Sequence, residues 1–306
     1  MSPNNHQRAR MTALMIASKR RRGIWGLALA LASCGLAQAA EPVSADSSDK
    51  GYSYFLGLGQ ESLKYEETSG LLPVKSSARA TSALLIGGAV YVVDKDWLFS
   101  VDNATTFNPA TSQETWTATS ATINGVVLSS GLLQTDSFNL SQSTTKLLVH
   151  GRLKDHWFGI AGPSFHTQTF RRFSFASGPD HVVNTPASTT VDESSSEILF
   201  NSGVGLESEQ LRGQPTHYGM RAILSLPVWR RLQNTAEPQV AFNAAKGWDF
   251  SLEGRYSWAV HDRLQVGAWG RWQLSRRERQ IVGGSFEMPA NRLDGLGYGL
   301  ELLWKL

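Results

Sequence analysis

The sequence predicts an all-β fold: one antiparallel sheet closed into a transmembrane β-barrel of ten strands, with twelve as the alternative. Three observations carry this reading. Near the carboxyl end Trp248, Phe250, Leu252, Tyr256 and Trp258 alternate with Asp249, Ser251, Glu253, Arg255 and Ser257, so one face is aromatic and apolar while the other carries charge. Trp248 and Trp258 stand ten positions apart on the apolar face, a spacing that suits aromatic girdles at the two boundaries of a lipid layer crossed by strands of about ten residues. Beyond the amino-terminal segment, no apolar run reaches the roughly 20 residues of a membrane helix.

The chain opens with a segment to be removed. Lys19, Arg20, Arg21 and Arg22 precede an apolar run over residues 23–36, and Ala37-Gln38-Ala39 supplies small residues around a cleavage site, so residues 1–39 read as a secretory signal peptide. A competing reading is a lipoprotein box at Leu31-Ala32-Ser33-Cys34, with Cys34 acylated. Residues 1–39 hold six Lys or Arg and no acid, so their removal leaves 23 basic against 26 acidic residues and turns a net charge of +3 into −3. The basic character belongs to the leader, and the remaining cations are scattered, which excludes a nucleic-acid-binding surface. Without Cys34 the mature chain has no cysteine and no disulfide or thiol site.

Residues 40–50 read as a polar tail and residues 51–306 as the barrel. In the first strand Tyr52, Tyr54, Leu56 and Leu58 alternate with Phe55, Gly57, Gly59 and Glu61. The second is apolar on both faces in part, and Gly87-Gly88 marks a bend or close packing. Trp97, Phe99 and Val101 against Ser100 and Asp102 form a third. Short polar breaks at Asp94-Lys95-Asp96, Lys154-Asp155 and His261-Asp262 are tight-turn candidates. Residues 103–140, 176–195 and 276–294 read as long loops, and 207–215 as a longer turn. Strands are expected to start near residues 51, 79, 97, 141, 156, 196, 216, 238, 263 and 295. A hairpin at Asn124-Gly125 would raise the total to twelve. Its candidate lipid face of Trp116, Ala118, Ser120 and Thr122 is too polar, which places it above the membrane. Pro227 calls for a bulge in the seventh strand.

The penultimate strand sets Leu264, Val266, Ala268, Trp272 and Leu274 against Gln265, Gly267, Arg271 and Gln273. The last sets Tyr298, Leu300, Leu302, Trp304 and Leu306 against Gly297, Gly299, Glu301 and Lys305. With this terminal pattern the chain resembles the outer-membrane β-barrel proteins of Gram-negative bacteria. The resemblance implies that Tyr298, Leu300, Leu302, Trp304 and Leu306 are an address read by the barrel-insertion machinery, although Leu306 stands where that family usually has Phe or Trp. It also implies tight turns and both chain ends in the periplasm, long loops outside, and an aromatic girdle of Trp248, Tyr256, Trp258, Trp272, Tyr298 and Trp304.

Alternation directs Glu61, Asp102, Lys146, Arg152, Arg221, Asp249, Glu253, Arg255, Arg271 and Glu301 into the lumen, where mixed signs neutralise one another, with Glu301 expected beside Arg271. Barrels near ten strands fill their interiors with side chains, so this set reads as a plug ahead of a selectivity lining for a small-solute channel. Rim chemistry is the third reading. Omptin proteases are ten-stranded outer-membrane barrels with paired acids and an Asp-His pair at the external rim. Here Asp94 with Asp96 and His261 with Asp262 fall in tight turns at the wrong end, and only Asp180-His181 is external. Ser164 with His166 is the one pair to test for a lipid-modifying rim enzyme. The mature histidines at 150, 156, 166, 181, 217 and 261 repeat no ligand spacing. The expectation is therefore a non-enzymatic, monomeric barrel of structural or surface-interaction type, with no catalytic residue, metal or cofactor. Its partners would be outer-membrane lipid and the insertion machinery, and its external ligand is undefined by sequence.

Overall fold

The computed structural model describes residues 51–123, 126–179, 186–208 and 215–306. The signal peptide with Cys34, the 40–50 tail, the Asn124-Gly125 turn, Asp180-His181 and most of the 207–215 turn lie outside the described residues. The chain forms sixteen strands among those residues: β1 Gly51–Thr68, β2 Val74–Val92, β3 Trp97–Pro109, β4 Ser112–Ala118, β5 Ala121–Ile123, β6 Val126–Leu128, β7 Gly131–Lys154, β8 Trp157–Ser177, β9 Thr190–Glu207, β10 Thr216–Asn234, β11 Ala241–Phe242, β12 Gly247–His261, β13 Leu264–Arg277, β14 Gln280–Val282, β15 Phe286–Met288 and β16 Ala290–Lys305.

Neighbours in sequence are neighbours in the sheet, and all the pairings are antiparallel. The order β1-β16-β13-β12-β10-β9-β8-β7-β3-β2 returns on itself because β1 pairs β2 from Gly51↔Val92 to Thr68↔Lys75 and β16 from Ser53↔Lys305 to Thr68↔Ala290. The sheet is thus a closed ring of about ten strands, which removes the unpaired edges an open sheet would expose. β4 continues β3 upward after a break at Ala110-Thr111, pairing β2 on one side and β7 on the other. The β5–β6 hairpin pairs only with itself and adds nothing to the ring.

Several strands are longer than the sequence suggests. β2 starts at Val74 rather than 79, β7 at Gly131 rather than 141, β9 at Thr190 rather than 196 and β16 at Ala290 rather than 295. The ladder therefore absorbs much of the supposed loops at 103–140, 176–195 and 276–294. The physical reason lies in their outward residues: toward the end of the sheet away from the tight turns these become polar or charged, as at Lys64, Arg171 and Arg292, and the apolar alternation that marks the rest of the strands is lost. The eighth strand moves the other way, starting at Gly247 rather than 238. Trp116 and Ala118 belong to the inner face, not an outer one: Ala118 is buried, and the Trp116 Nε1 donates to Asp136 Oδ2 across 2.9 Å. The break at Pro227 is a bulge, with the register shifting between Pro227 and Trp229.

The outer face carries a continuous apolar band. Leu58, Leu224, Leu252, Tyr256, Leu296, Tyr298 and Leu300 are exposed on it. From Trp248 to Trp258 the strand climbs about 25 Å, taking about 3.3 Å per residue and a tilt near 40°, which matches the apolar height of membrane barrels. Above this band the outward residues become charged, with Lys64 paired to Glu66, Arg171 to Asp192 and Arg292 to Asp294. Short turns lie at the opposite end: Asp94 Oδ1 accepts from the amides of Asp96 and Trp97, and Asp155 takes a positive φ of 47° at its turn. Glycines matter where a ring lies against the wall. A Cβ on Gly59 would clash with the Tyr298 carbonyl oxygen and stand 2.7 Å from Trp269, and one on Gly88 would clash with the Val101 carbonyl oxygen and stand 2.8 Å from Phe55.

Candidate functional site: the charged lumen

Inward residues form stacked layers. Lowest, next to the tight turns, Glu301 and Lys305 are both buried, as are His150 and Ser100, whose Nε2 and Oγ stand 2.9 Å apart. Neither Glu301 carboxylate oxygen has a hydrogen-bond partner among the described residues. Arg271, expected beside Glu301, instead bonds Glu61 at 2.8 Å, because Arg271 pairs Gly297 in register, four residues up the strand. Arg152 lies at the rim on the same face as His150, donating to the carbonyls of Lys95 and Asp155, and stands 3.7 Å from Asp96.

The middle layer joins strands from opposite walls. Arg221 bonds Asp102 at 2.7 Å and Glu253 at 2.6 Å, and Lys146 bonds the other Glu253 oxygen. Glu61, 1 % exposed, accepts from Arg271 and from Gln142 at 3.0 and 3.1 Å. The Arg255 guanidinium lies 4.1 Å from the centre of the Phe55 ring. Beneath and beside this layer is a cavity of about 80 Å³ bordered by Phe55, His150, Arg255 and Trp269, room for a few waters. Gln265 is buried and accepts from Ser257 Oγ at 2.8 Å. Higher up, Arg277 bridges Glu197 at 2.9 Å and Asp249 at 2.5 Å, and Arg230 meets Glu197 at 2.8 Å.

The uppermost layer lies beyond the apolar band. Arg172 bonds Glu114 at 2.6 Å and Glu67 at 3.0 Å and faces Glu193 at 3.8 Å, all buried. Its guanidinium lies 5.5 to 5.9 Å from the rings of Trp116, Phe138 and Phe170. Just below, Leu63, Tyr65, Phe138, Leu140 and Phe170 pack into an apolar cluster inside the ring. One arginine among four carboxylates leaves an excess of negative charge in a desolvated space. Burial and the Glu114 carboxylate push Asp136 up to about 7, and burial with Glu67 does the same for Glu193, so both hold protons near neutrality.

The sequence-derived lumen set of Glu61, Asp102, Arg221, Asp249, Glu253, Arg255, Arg271 and Glu301 lies on the inner face. Three ion-pair groups gather six of the eight, Glu61 with Arg271, Asp102 with Arg221 and Glu253, and Asp249 with Arg277, while Arg255 and Glu301 stand outside them. Sequence reasoning missed Arg172, Glu67, Glu114, Asp136, Glu193, Glu197, Arg230, Arg277 and the inward Trp269. Parity alone would have found several, since Glu67 follows Glu61, and Arg277 follows Arg271, by an even number of residues. Trp248, Tyr256, Trp258, Trp272, Tyr298 and Trp304 share the outer face with Leu300, Leu302 and Leu306. Ser164 and His166 do not form a pair: Ser164 donates to Asn201 at 3.4 Å, while His166 Nδ1 meets Thr144 Oγ1 at 2.8 Å. Among the described residues no group of three or more His, Cys, Asp or Glu is placed to hold a metal.

No protein-family profile and no curated protein matches the chain. Solved structures do. The outer membrane protease OmpT from Escherichia coli superposes with a TM-score of 0.57 at 10 % identity, over 87 % of this chain and 99 % of that one. The translocator domain of the autotransporter NalP from Neisseria meningitidis gives 0.34 at 10 % identity, over 91 % and 94 %. OprG from Pseudomonas aeruginosa gives 0.32 at 10 % identity, over 85 % and 98 %. On the OmpT superposition the chain has the β-barrel fold of that protein. At this identity the likeness to OmpT concerns the fold alone.

Proposed function

We propose that the protein is a ten-stranded, monomeric outer-membrane barrel that conducts no solute, catalyses no reaction and works through its extracellular surface. The single observation behind this is the filled lumen: a charged middle layer, the Arg277–Glu197 bridge, an apolar plug and the Arg172 cluster follow one another along the axis. Ions crossing such an interior would have to break buried charge pairs, each costly to separate. The strand extension beyond the apolar band carries the loops away from lipid and leaves them as the binding surface. In this reading the outward tryptophans and tyrosines anchor the barrel at the two interfaces, and the Tyr298 to Leu306 alternation is the insertion address.

Planar-bilayer recording of the purified mature protein tests it. The expected result is the absence of steady unitary openings at moderate voltage. Reproducible ion-selective openings would replace this reading with a small-solute channel.

A further inference from the structure

The outer wall carries a feature that the filled lumen does not use. On β10, β12 and β13 the side chains of Leu224, Leu226, Trp248, Phe250, Trp272 and Leu274 line an apolar groove of about 490 Å³ at the upper end of the band. Three strands at about 4.8 Å spacing give it the width of two acyl chains lying side by side. Directly above it two cations face outward across one ladder step, for Arg276 pairs Arg292 in register. Like charges in such a position disfavour each other unless an anion lies between them. Asp294 engages Arg292 at 3.2 Å and accepts from Trp272 Nε1 at 2.9 Å. Arg276 has no carboxylate partner among the described residues and rests 5.6 Å from the centre of the Trp248 ring, at the mouth of the groove.

We propose that this groove with Arg276 and Arg292 is a binding site for the phosphorylated, multi-acyl glycolipid of the outer leaflet. The inference rests on the outer-membrane reading above, since that reading puts the long-strand end outside. Charge complementarity picks the occupant. The groove takes acyl chains, and the paired guanidiniums take a phosphate held at the level where lipid ends, through the forked hydrogen bonds that arginine makes with phosphate oxygens. The tryptophans fit the same place, with the Trp248 ring apolar against the chains and facing the Arg276 cation above.

The test uses the full mature protein folded into phosphatidylcholine vesicles doped with lipid A, with phosphatidylglycerol, or with neither. Binding is read as the lipid-dependent shift in thermal unfolding and as lipid retained in native mass spectra. Lipid A is expected to bind and raise the unfolding temperature, phosphatidylglycerol to do so at least tenfold more weakly, and R276Q/R292Q to lose about tenfold in lipid A affinity. R171Q, which alters an outward arginine paired with Asp192 elsewhere on the wall, is expected to bind as the wild type does. Equal binding of the two lipids, equal binding by R276Q/R292Q, or insertion without lipid A binding would each overturn the inference while leaving the barrel reading intact. Failure to insert into any vesicle would overturn both.

Discussion

Replacing Arg172 with Met removes the one cation from the uppermost layer and keeps much of its packing volume. Glu114, Glu67 and Glu193 are 0, 3 and 3 % exposed, so water cannot take over the guanidinium's role. Separating a buried ion pair by deleting one partner costs about 3 to 5 kcal/mol, and that is the loss expected at pH 8, above the values near 7 of Asp136 and Glu193. At pH 5 those two groups hold protons and the layer carries less negative charge, so the loss should fall to about 1 to 2 kcal/mol, the scale of the hydrogen bonds alone. Raised carboxylate values favour the folded state at low pH: the contribution is complete below the unfolded range near pH 4 and disappears as pH rises through the folded value. Because Asp136 and Glu193 titrate near 7, the wild type should itself lose some stability between about pH 4 and 7. Reversible urea unfolding from vesicles at pH 5 and 8 measures both effects. Adding Glu114→Gln to Arg172→Met should restore part of the loss at pH 8. Equal losses at the two pH values, or a loss under about 1 kcal/mol at pH 8, would refute the view of this layer as a buried charge cluster held by one arginine.

Leu252→Arg places a charge on the lipid face and should cost about 2 to 4 kcal/mol near the midplane; a cost under about 1 kcal/mol in folding titrations would mean an inverted register. Gly59→Val should displace Trp269 from the wall and lower stability by about 1 to 3 kcal/mol, seen as a change in tryptophan fluorescence together with an earlier urea midpoint. Intact mass of protein isolated from outer membranes should correspond to a chain beginning Ala40-Glu41-Pro42; a mass containing Cys34 with acyl chains would assign the leader to lipoprotein processing.

Period-two alternation over Trp248 to Trp258 and Leu296 to Leu306 determined strand identity, side-chain facing and the meander order, because a crossing strand meets lipid on one side and other side chains on the other. The same logic placed Glu61, Arg221, Glu253 and Arg271 inside. It lost its grip above the apolar band, where the outer face turns polar and the apolar residues, such as Phe138 and Leu140, point inward, and so β4, the first part of β7 and the Arg172 layer read as loop. Which charges pair was likewise beyond the sequence. Arg277 reaches Glu197 from 80 positions away and Arg172 reaches Glu67 from 105; such partners are chosen by the stagger of the closed ring and by the length of each side chain. Tertiary structure alone also sets Arg276 beside Arg292 above the Trp248 groove, since their adjacency follows from the β13–β16 register and the gap beneath them from how three strands pack their outer side chains.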